Sequence, residues 1–323
     1  MKTTHIAACI AAAASLLAAP VVLAQSFPSK PIRLVVGASP GGSTDTLARE
    51  IAQDMTRILG QTVIVDNKPG AGGNMAAQDV ARSVPDGHTL LVCFTSHTMN
   101  ASLFKKLPYD PVADFTPITL LAKVSSVLVT RSDFPAKDAR ELVARGKASK
   151  QGLSFAIGGL GSSLHMDTYE FAKASGITVA QIPFKGTSPA LGDVMAGHVD
   201  LMFAPVAGAR PLLQSGKLRA LAVTGPKRLT ALPDVPSITE AVPSFTTNFG
   251  WFGVLGPAKL PADVTSKLHA AIVQALQSPK LKGRLEGDGS ATDGSGTAEF
   301  TAFLKADMKH WASQVQAFGI QPE

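Results

Sequence analysis

Short runs of β-branched and other apolar residues alternate along the chain with segments whose apolar residues recur every three or four positions. In one such segment, 44–59, Leu47, Ile51 and Met55 fall on one face, and Gly60 is a typical residue after a helix C-terminus. Strands that alternate with helices are typical of open, mostly parallel sheets, so the pattern predicts an α/β fold. The predicted strands are 32–36, 62–65, 89–93, 124–130, 153–157, 178–182, 199–203, 218–223 and 251–255.

Two apolar runs, 120–130 and 245–256, are candidates for segments that pass between two lobes. The first has no central turn signal, and the second restarts a strand after a proline-rich segment. At roughly 100–200 residues per domain, a chain of 323 residues is long enough for two domains. We expect a discontinuous first lobe, residues 25–124 plus 246–323, and a second lobe of residues 125–245.

The first residues have the pattern of an export signal. The positively charged start, Met1-Lys2, precedes an uncharged apolar stretch. This stretch ends with small residues before the predicted cleavage site, the last of them Ala24. We therefore predict a signal peptide over 1–24, with cleavage after Ala24. The exported chain would keep one cysteine, Cys93, in a strand-like run typical of a buried core residue, and no disulfide framework. These features favour a periplasmic location.

Composition disfavours two classes of partner. The formal net charge is +6, but no basic run is longer than a pair such as Lys105–Lys106. Such runs are too short for a tract that follows phosphates, so we expect no nucleic-acid partner. Aromatic residues make up only 6% of the chain, which is little for stacking on sugar rings. Seven histidines show no metal-ligand spacing, and we predict neither a metal nor a cofactor.

A glycine-rich turn at 37–45 follows the first predicted strand and opens a helix. Its start, GASPG, matches the G-x-S-x-G elbow of α/β-hydrolases, with Ser39 as nucleophile. Pro40 argues against catalysis, because the residue after the serine must donate its backbone N–H to the oxyanion, and proline has none. The other interpretation is anion binding at the helix N-terminus, where Ser43 and Thr44 either donate to a carboxylate or cap the helix.

A second glycine-rich turn, GGLGSSLH at 158–165, also follows a predicted strand and opens a helix. Two such turns in two halves of the chain are expected to face each other across a cleft, where open α/β sheets bind ligands. His165 is the histidine expected to point towards that cleft, and its alternative role is to hold the loop.

Seven short motifs occur in order along the chain: PGGSTD at 40–45, NKPGAGGN at 67–74, PDGHTLL at 85–91, GSSLH at 161–165, PFKG at 183–186, LRALAVT at 218–224 and LPDVP at 232–236. Together they resemble the extracytoplasmic solute receptors of the tripartite tricarboxylate transporter system, the Bug family. The resemblance covers essentially the whole chain after the predicted signal peptide.

The resemblance implies a type II periplasmic binding protein fold, with two α/β lobes and a ligand cleft between them. It further implies a non-enzymatic, monomeric receptor that captures a small organic carboxylate and passes it to a membrane permease. The alternatives that remain open are an exported hydrolase using Ser39 and a ligand sensor without a transport role. The implied ligand-binding residues are Ser39, Gly41, Gly42, Ser43, Thr44, Thr95 and Ser96 in the first lobe, and Gly161, Ser162, His165, Lys185, Gly186 and Thr187 in the second.

This sequence departs from the family pattern at two places near the implied pocket. Ala38 stands where relatives often carry an aromatic residue, and Ala204-Pro205 stands where many carry Asp-Asn. Both changes predict a larger, more apolar pocket with fewer partners for an α-amino group. We therefore expect a carboxylate without an amino group.

Overall fold

The computed structural model describes residues 27–158, 162–184, 186–225 and 227–322. The predicted signal peptide lies outside these residues, and so do the predicted site residues Gly161 and Lys185. Among the described residues, no helix combines the length and the apolarity that a membrane span requires.

Eleven strands of the described chain form two sheets. The first sheet contains β1 (Ile32–Val36), β2 (Val63–Asn67), β3 (Thr89–Phe94), β4 (Phe115–Val124), β10 (Gly250–Pro257) and β11 (Ser290–Thr292), in the spatial order β11-β4-β10-β3-β1-β2. The second contains β5 (Ser126–Arg131), β6 (Leu153–Ile157), β7 (Val179–Pro183), β8 (Leu201–Pro205) and β9 (Leu218–Val223), in the order β7-β6-β8-β5-β9. We call each sheet with its packed helices a lobe.

The two sheets are mixed, so the expectation of mostly parallel sheets was wrong. Strand β1 pairs in parallel with β2 and β3, and β6 pairs in parallel with β7 and β8. Strand β10 runs antiparallel to β3 and β4, and β5 runs antiparallel to β8 and β9. The chain enters β5 and β10 directly from the other lobe, without the crossover helix that parallel pairing needs.

Ten α-helices of the described chain cover the sheets. They are α1 (Ser43–Leu59), α2 (Asn74–Ala81), α3 (Ser96–Leu103), α4 (Ala139–Ala148), α5 (Ser163–Ser175), α6 (Thr187–Ala196), α7 (Val206–Gln214), α8 (Ala262–Leu276), α9 (Pro279–Gly287) and α10 (Thr297–Ala317). Short 3₁₀ turns lie at Ala71–Gly73 and Ile238–Glu240. Helix α1 ends at Gly60, whose left-handed backbone has a φ of 68°, as its sequence predicts.

The chain passes between the sheets twice. Strand β4 ends at Val124 and β5 begins at Ser126, so the predicted strand 124–130 starts two residues too early and the apolar run 120–130 contains two strands. The second passage leads from Phe245, buried in the second lobe, to β10 in the first. The first sheet is therefore built from both ends of the chain, whereas the second is one continuous segment.

The last helix, α10, packs an apolar stripe against the first sheet. Phe300 and Leu304 are fully buried on this face, and Phe300 lies directly over Gly253 of β10. Further along, Trp311 is buried with Met99 of the first lobe and Met166 of the second. Helix α10 thus contributes to packing in both lobes.

Candidate ligand-binding cleft

A cavity of about 350 Å³ lies between the two lobes. Both passages of the chain between the sheets contribute to its wall, through Val124, Ser125 and Ser126 in the first passage and Asn248 and Gly250 in the second. A site bounded by two lobes and by the segments that join them is the usual position of a ligand cleft in a two-lobed α/β protein.

Within the described residues, four helices begin at this cavity. Their first residues, Ser43 of α1, Ser96 of α3, Ser163 of α5 and Val206 of α7, all line the wall. The first N–H groups of a helix have no intrahelical partner, and the helix dipole gives this end a partial positive charge. Four such ends around one cavity favour the binding of an anion.

The first glycine-rich turn is held by Asp45, one residue past the predicted anion-binding hydroxyls. Its buried carboxylate accepts hydrogen bonds from Gly41 N, Arg49 Nε and Asn67 Nδ2, each at 2.9 Å. Burial alone would raise the pKa of Asp45, but these hydrogen bonds and the Arg49 charge outweigh it and lower the pKa. Gly42 is the N-cap and no side chain caps the helix, so Ser43 and Thr44 are not caps.

The turn after β3 presents Thr95 and Ser96 to the cavity. Thr95 Oγ1 accepts the Trp251 N–H at 2.9 Å, which leaves the threonine proton for a further acceptor. Ser96 Oγ donates its proton to Gly72 O at 2.6 Å, so this hydroxyl can only accept a further hydrogen bond. Of the two hydroxyls, that of Thr95 is the one suited to donate to a carboxylate.

In the second glycine-rich turn, Ser162 caps α5 by accepting His165 N at 3.3 Å. Ser162, Ser163 and Leu164 line the cavity, whereas His165 does not. His165 is buried, and its Nε2 lies 2.7 Å from Gln181 Oε1. Burial lowers the pKa of His165 more than this hydrogen bond raises it. The geometry fits the alternative in which His165 holds the loop.

The predicted ligand-binding residues therefore divide into three groups. The residues in the cavity wall are Ser43, Thr95, Ser96 and Ser162. The residues that lie outside this wall are Ser39, Gly41, Gly42, Thr44, His165, Gly186 and Thr187. Gly161 and Lys185 belong to the part of the chain that the structure does not describe. The ligand contacts of all three groups stay a prediction.

Sequence reasoning missed most of the apolar wall and one polar segment. Phe94, Trp251 and Phe252 form part of the wall, and α9 with the following turn adds Arg284 and Asp288. Burial raises the pKa of Asp288, and the charges of Arg284 and Arg210 oppose that shift. The glycine, serine and aspartate residues of 287–296 predict an exposed loop. In the structure β11 lies within this segment, and Ser290 is buried against β4.

A buried carboxyl group lies behind the cavity wall. Asp167 of α5 is fully buried and accepts Ser126 Oγ at 3.0 Å, and Asn248 donates to it from the backbone at 3.4 Å and from the side chain at 3.3 Å. Ser126 and Asn248 line the cavity, whereas Asp167 does not. Burial raises the pKa of Asp167 to about 7. No sequence motif marked this residue.

Among the described residues, no histidine is placed to act as a base for Ser39, as the hydrolase alternative would require. Ser39 is exposed and followed by Pro40, and none of the hydrogen bonds of the described chain joins its hydroxyl to a histidine. The described residues also contain no group of three or more His, Cys, Asp or Glu side chains that could hold a metal ion.

Comparison with known families identifies one model over most of the chain. Residues 47–320 match the model described as the tripartite tricarboxylate transporter family receptor. The matched segment includes most of α1, both sheets from β2 onwards and all of α10.

Three solved structures share the fold over nearly the whole chain. The periplasmic binding protein BugD is 32% identical, with a TM-score of 0.81 over 92% of this chain and 100% of its own. Rpa4515 of Rhodopseudomonas palustris, solved with adipate, is 31% identical, with a TM-score of 0.84 over 92% and 100%. MatC of the same organism, solved with malate, is 33% identical, with a TM-score of 0.79 over 90% and 100%. The predicted fold, two α/β lobes of the periplasmic binding protein kind, is confirmed.

Proposed function

Because this chain belongs to the tripartite tricarboxylate transporter receptor family, we propose that it captures a small organic carboxylate between its lobes and delivers it to a membrane transporter of that kind. The observation that carries the proposal is the convergence of four helix N-termini on one cavity. Such a site favours a negative charge and needs no metal or cofactor.

The ligand class follows from the lining of the cavity and from the relatives. Hydroxyl groups of Ser43, Thr95 and Ser163 suit a carboxylate, since each hydrogen bond to a charged group contributes roughly 1.5–3 kcal/mol. The apolar side chains of Phe94 and Trp251 suit a carbon skeleton beside it. Two relatives are solved with the dicarboxylates adipate and malate. We propose a carboxylate with an apolar body.

Binding without chemistry is part of the proposal. The family is one of receptors, and Ser39 lacks the backbone donor at position 40 that an acyl-transfer site requires. We also propose a periplasmic location, with residues 1–24 removed as a signal peptide, in agreement with the periplasmic binding protein BugD.

The test is a binding screen of the purified chain, without residues 1–24, against malate, adipate, citrate, benzoate and aspartate. A bound acid raises the melting temperature, because a ligand at a hundredfold excess over its Kd stabilises the native state by about 2.7 kcal/mol. Calorimetry then ranks the acids by Kd. We expect adipate or another acid without an amino group to bind more tightly than aspartate, and tightest binding of aspartate contradicts the proposed class.

The hydrolase alternative is tested on the same preparation. Turnover of generic ester substrates that is lost in Ser39→Ala contradicts the receptor function. Absence of turnover, together with binding of an acid, agrees with it.

A further inference from the structure

The carboxyl group of Asp167 ties together both passages of the chain between the lobes. Ser126 begins β5 in the first passage, and Asn248 lies two residues before β10 in the second; both donate hydrogen bonds to Asp167. Both also line the cavity, whereas Asp167 lies directly behind them.

Neutral groups supply all the hydrogen bonds that Asp167 receives among the described residues. They are the Ser126 hydroxyl and the backbone and side-chain amides of Asn248. Within the described chain, no lysine or arginine forms an ion pair with Asp167. A buried carboxylate without a positive partner is costly, which is why burial raises the pKa of Asp167 to about 7.

Among the described residues, Glu170 and His310 interact with Asp167 or with its partner Asn248, and Asp307 lies on the same helix as His310. Arg284 and Asp288 line the cavity itself. Glu170 lies one turn further along α5 and accepts Thr246 N at 3.2 Å; its negative charge raises the pKa of Asp167 further. His310 of α10 lies 2.9 Å from Asn248 Oδ1 and reaches Asp167 only through that amide. Asp307, also on α10, accepts Trp251 Nε1 at 2.9 Å. From β5 and β9, the neighbours are the hydroxyls of Ser126 and Thr224, which do not titrate.

We propose that Asp167 is a positioning residue that links ligand binding to proton uptake, so that the cleft holds an anion more tightly when this side chain is protonated. The inference rests on the proposed function, because it concerns an anion in the same cleft. A bound carboxylate and an ionised Asp167 would be two negative charges on either side of Ser126 and Asn248, where the interaction is only weakly screened. Ionised Asp167 also holds the Ser126 and Asn248 donors more strongly, and therefore keeps them from the ligand.

Binding of an anion and protonation of Asp167 favour each other. An anion in the cleft disfavours the ionised form of Asp167 and therefore favours uptake of a proton on binding. By reciprocity, protonation of Asp167 strengthens binding of the anion. Affinity is then greatest below the pKa of Asp167 and decreases as the pH rises through about 7.

The experiment measures Kd for malate and adipate by calorimetry at about pH 6 and about pH 8.5, in two buffers with different ionisation enthalpies. We expect Kd to rise roughly tenfold over this range, which corresponds to a coupling of about one pKa unit. The difference between the buffers should show uptake of a fraction of a proton near neutral pH. This part uses the unaltered protein and needs no variant to fold.

Variants assign the effect to one side chain. Asp167→Asn keeps the shape and the neutral state, so its Kd should be independent of pH and close to the low-pH value of the unaltered protein. His310→Gln is the matched control and should keep the pH dependence of Kd unchanged. Glu170→Gln should keep it but move it to lower pH, because it removes a negative charge that raises the pKa of Asp167. The inference is overturned if the pH dependence of Kd persists in Asp167→Asn or disappears in His310→Gln.

Failure of this inference is distinguishable from failure of the proposed function. Binding with a Kd that does not change with pH and without proton uptake overturns the role of Asp167 and leaves the receptor function intact. Absence of binding of malate, adipate, citrate, benzoate and aspartate at both pH values overturns the proposed function, and the inference with it.

Discussion

At the scale of single residues, one serine from each lobe presents a hydroxyl to the cavity at the start of a helix. Ser43 begins α1 and Ser163 begins α5. If the ligand is a carboxylate, Ser43→Ala and Ser163→Ala each remove a donor to a charged group. We expect each substitution to cost about 1.5–3 kcal/mol of binding free energy, roughly ten- to a hundredfold in Kd.

The matched control for these two variants is Ser313→Ala. Ser313 lies on an exposed face of α10 and donates to Lys309 O within its own helix. Its replacement should leave Kd unchanged. Calorimetry with the acid that binds most tightly in the screen compares the unaltered protein with the three variants. Equal affinities for all four would show that neither the Ser43 nor the Ser163 hydroxyl contacts the ligand.

The buried carboxyl of Asp167 also predicts how stability depends on pH. Its pKa is raised from 3.8 to about 7, so the native state binds this proton more tightly than the unfolded chain does. This contribution to stability is therefore fully present below about pH 4 and is lost as the pH rises towards 7, with a magnitude on the order of 4 kcal/mol.

Asp167→Asn carries no titrating group and lacks this contribution. The free energy of unfolding of the unaltered protein minus that of the variant should decrease from about pH 4 to about pH 7 and then level off. Urea unfolding at a series of pH values, without any carboxylate ligand, measures this difference. Two parallel curves would mean that Asp167 titrates normally in the native state.

At the scale of elements, the close packing of α10 on β10 depends on a residue without a side chain. A Cβ at Gly253 would collide with the ring of Phe300, which is fully buried and cannot move aside. We expect Gly253→Ala to destabilise the protein by about 1–3 kcal/mol, the usual cost of overpacking a core.

Gly283 provides the matched control, because it lies within α9, is exposed, and has no neighbour within 4 Å of an added Cβ. Gly283→Ala should stabilise the protein by roughly 0.5–1 kcal/mol through the lower entropy of the unfolded chain. Urea unfolding compares the two variants. Similar changes for both would contradict the packing of Phe300 on β10.

The elements that the sequence could predict are those with a clear period. Helix α1 has a clear apolar stripe and β1 a clear apolar run, and the bounds of each lie within one residue of those predicted. The break at Ser125 has no such signal, because β4 and β5 are both apolar and one residue joins them. Strand β11 was missed because Ser290, Ala291 and Thr292 show no apolar alternation, and only its pairing with β4 makes it a strand.

Local sequence signals also mark some residues of the cavity wall and not others. Ser43, Thr95 and Ser162 lie where a strand turns into a helix, and such junctions are visible in a sequence. Trp251 and Asp288 reach the cavity from distant segments without any motif. Their positions depend on how the two lobes meet, which local patterns do not encode.

At the scale of the whole molecule, the end of α9 and the turn that follows it in the first lobe contact the second lobe. Arg210 of α7 donates a hydrogen bond to Gly287 O at 2.7 Å, and Gly289 approaches Leu229 and Val206. These contacts favour the arrangement in which both lobes line the cavity. Loss of the Arg210 hydrogen bond in Arg210→Met should cost about 1 kcal/mol, roughly fivefold in Kd for a carboxylate.

Arg219→Met is the control, because Arg219 also donates to backbone carbonyls, those of Phe134 and Ala136, but entirely within the second lobe. We expect Arg219→Met to lower stability and leave Kd unchanged. Small-angle scattering without ligand should show a larger radius of gyration for Arg210→Met only. A similar loss of affinity in both variants would mean that the contact between the lobes does not contribute to binding.

The order of strands in the first sheet also determines when that sheet can be completed during synthesis. Strand β10 pairs between β4 and β3, yet the ribosome makes it only after every strand of the second sheet. Until residue 257 has been made, β3 and β4 have no strand between them, and each exposes an unpaired edge of the kind that recruits other chains into aggregates. The long sequence separation of these pairings also slows folding. The same order applies to a chain that emerges beyond the membrane after export, as proposed above. We therefore expect its longest vulnerable period to be the interval in which the second lobe has emerged and the first lobe is still open, and we expect it to need a chaperone most during that interval.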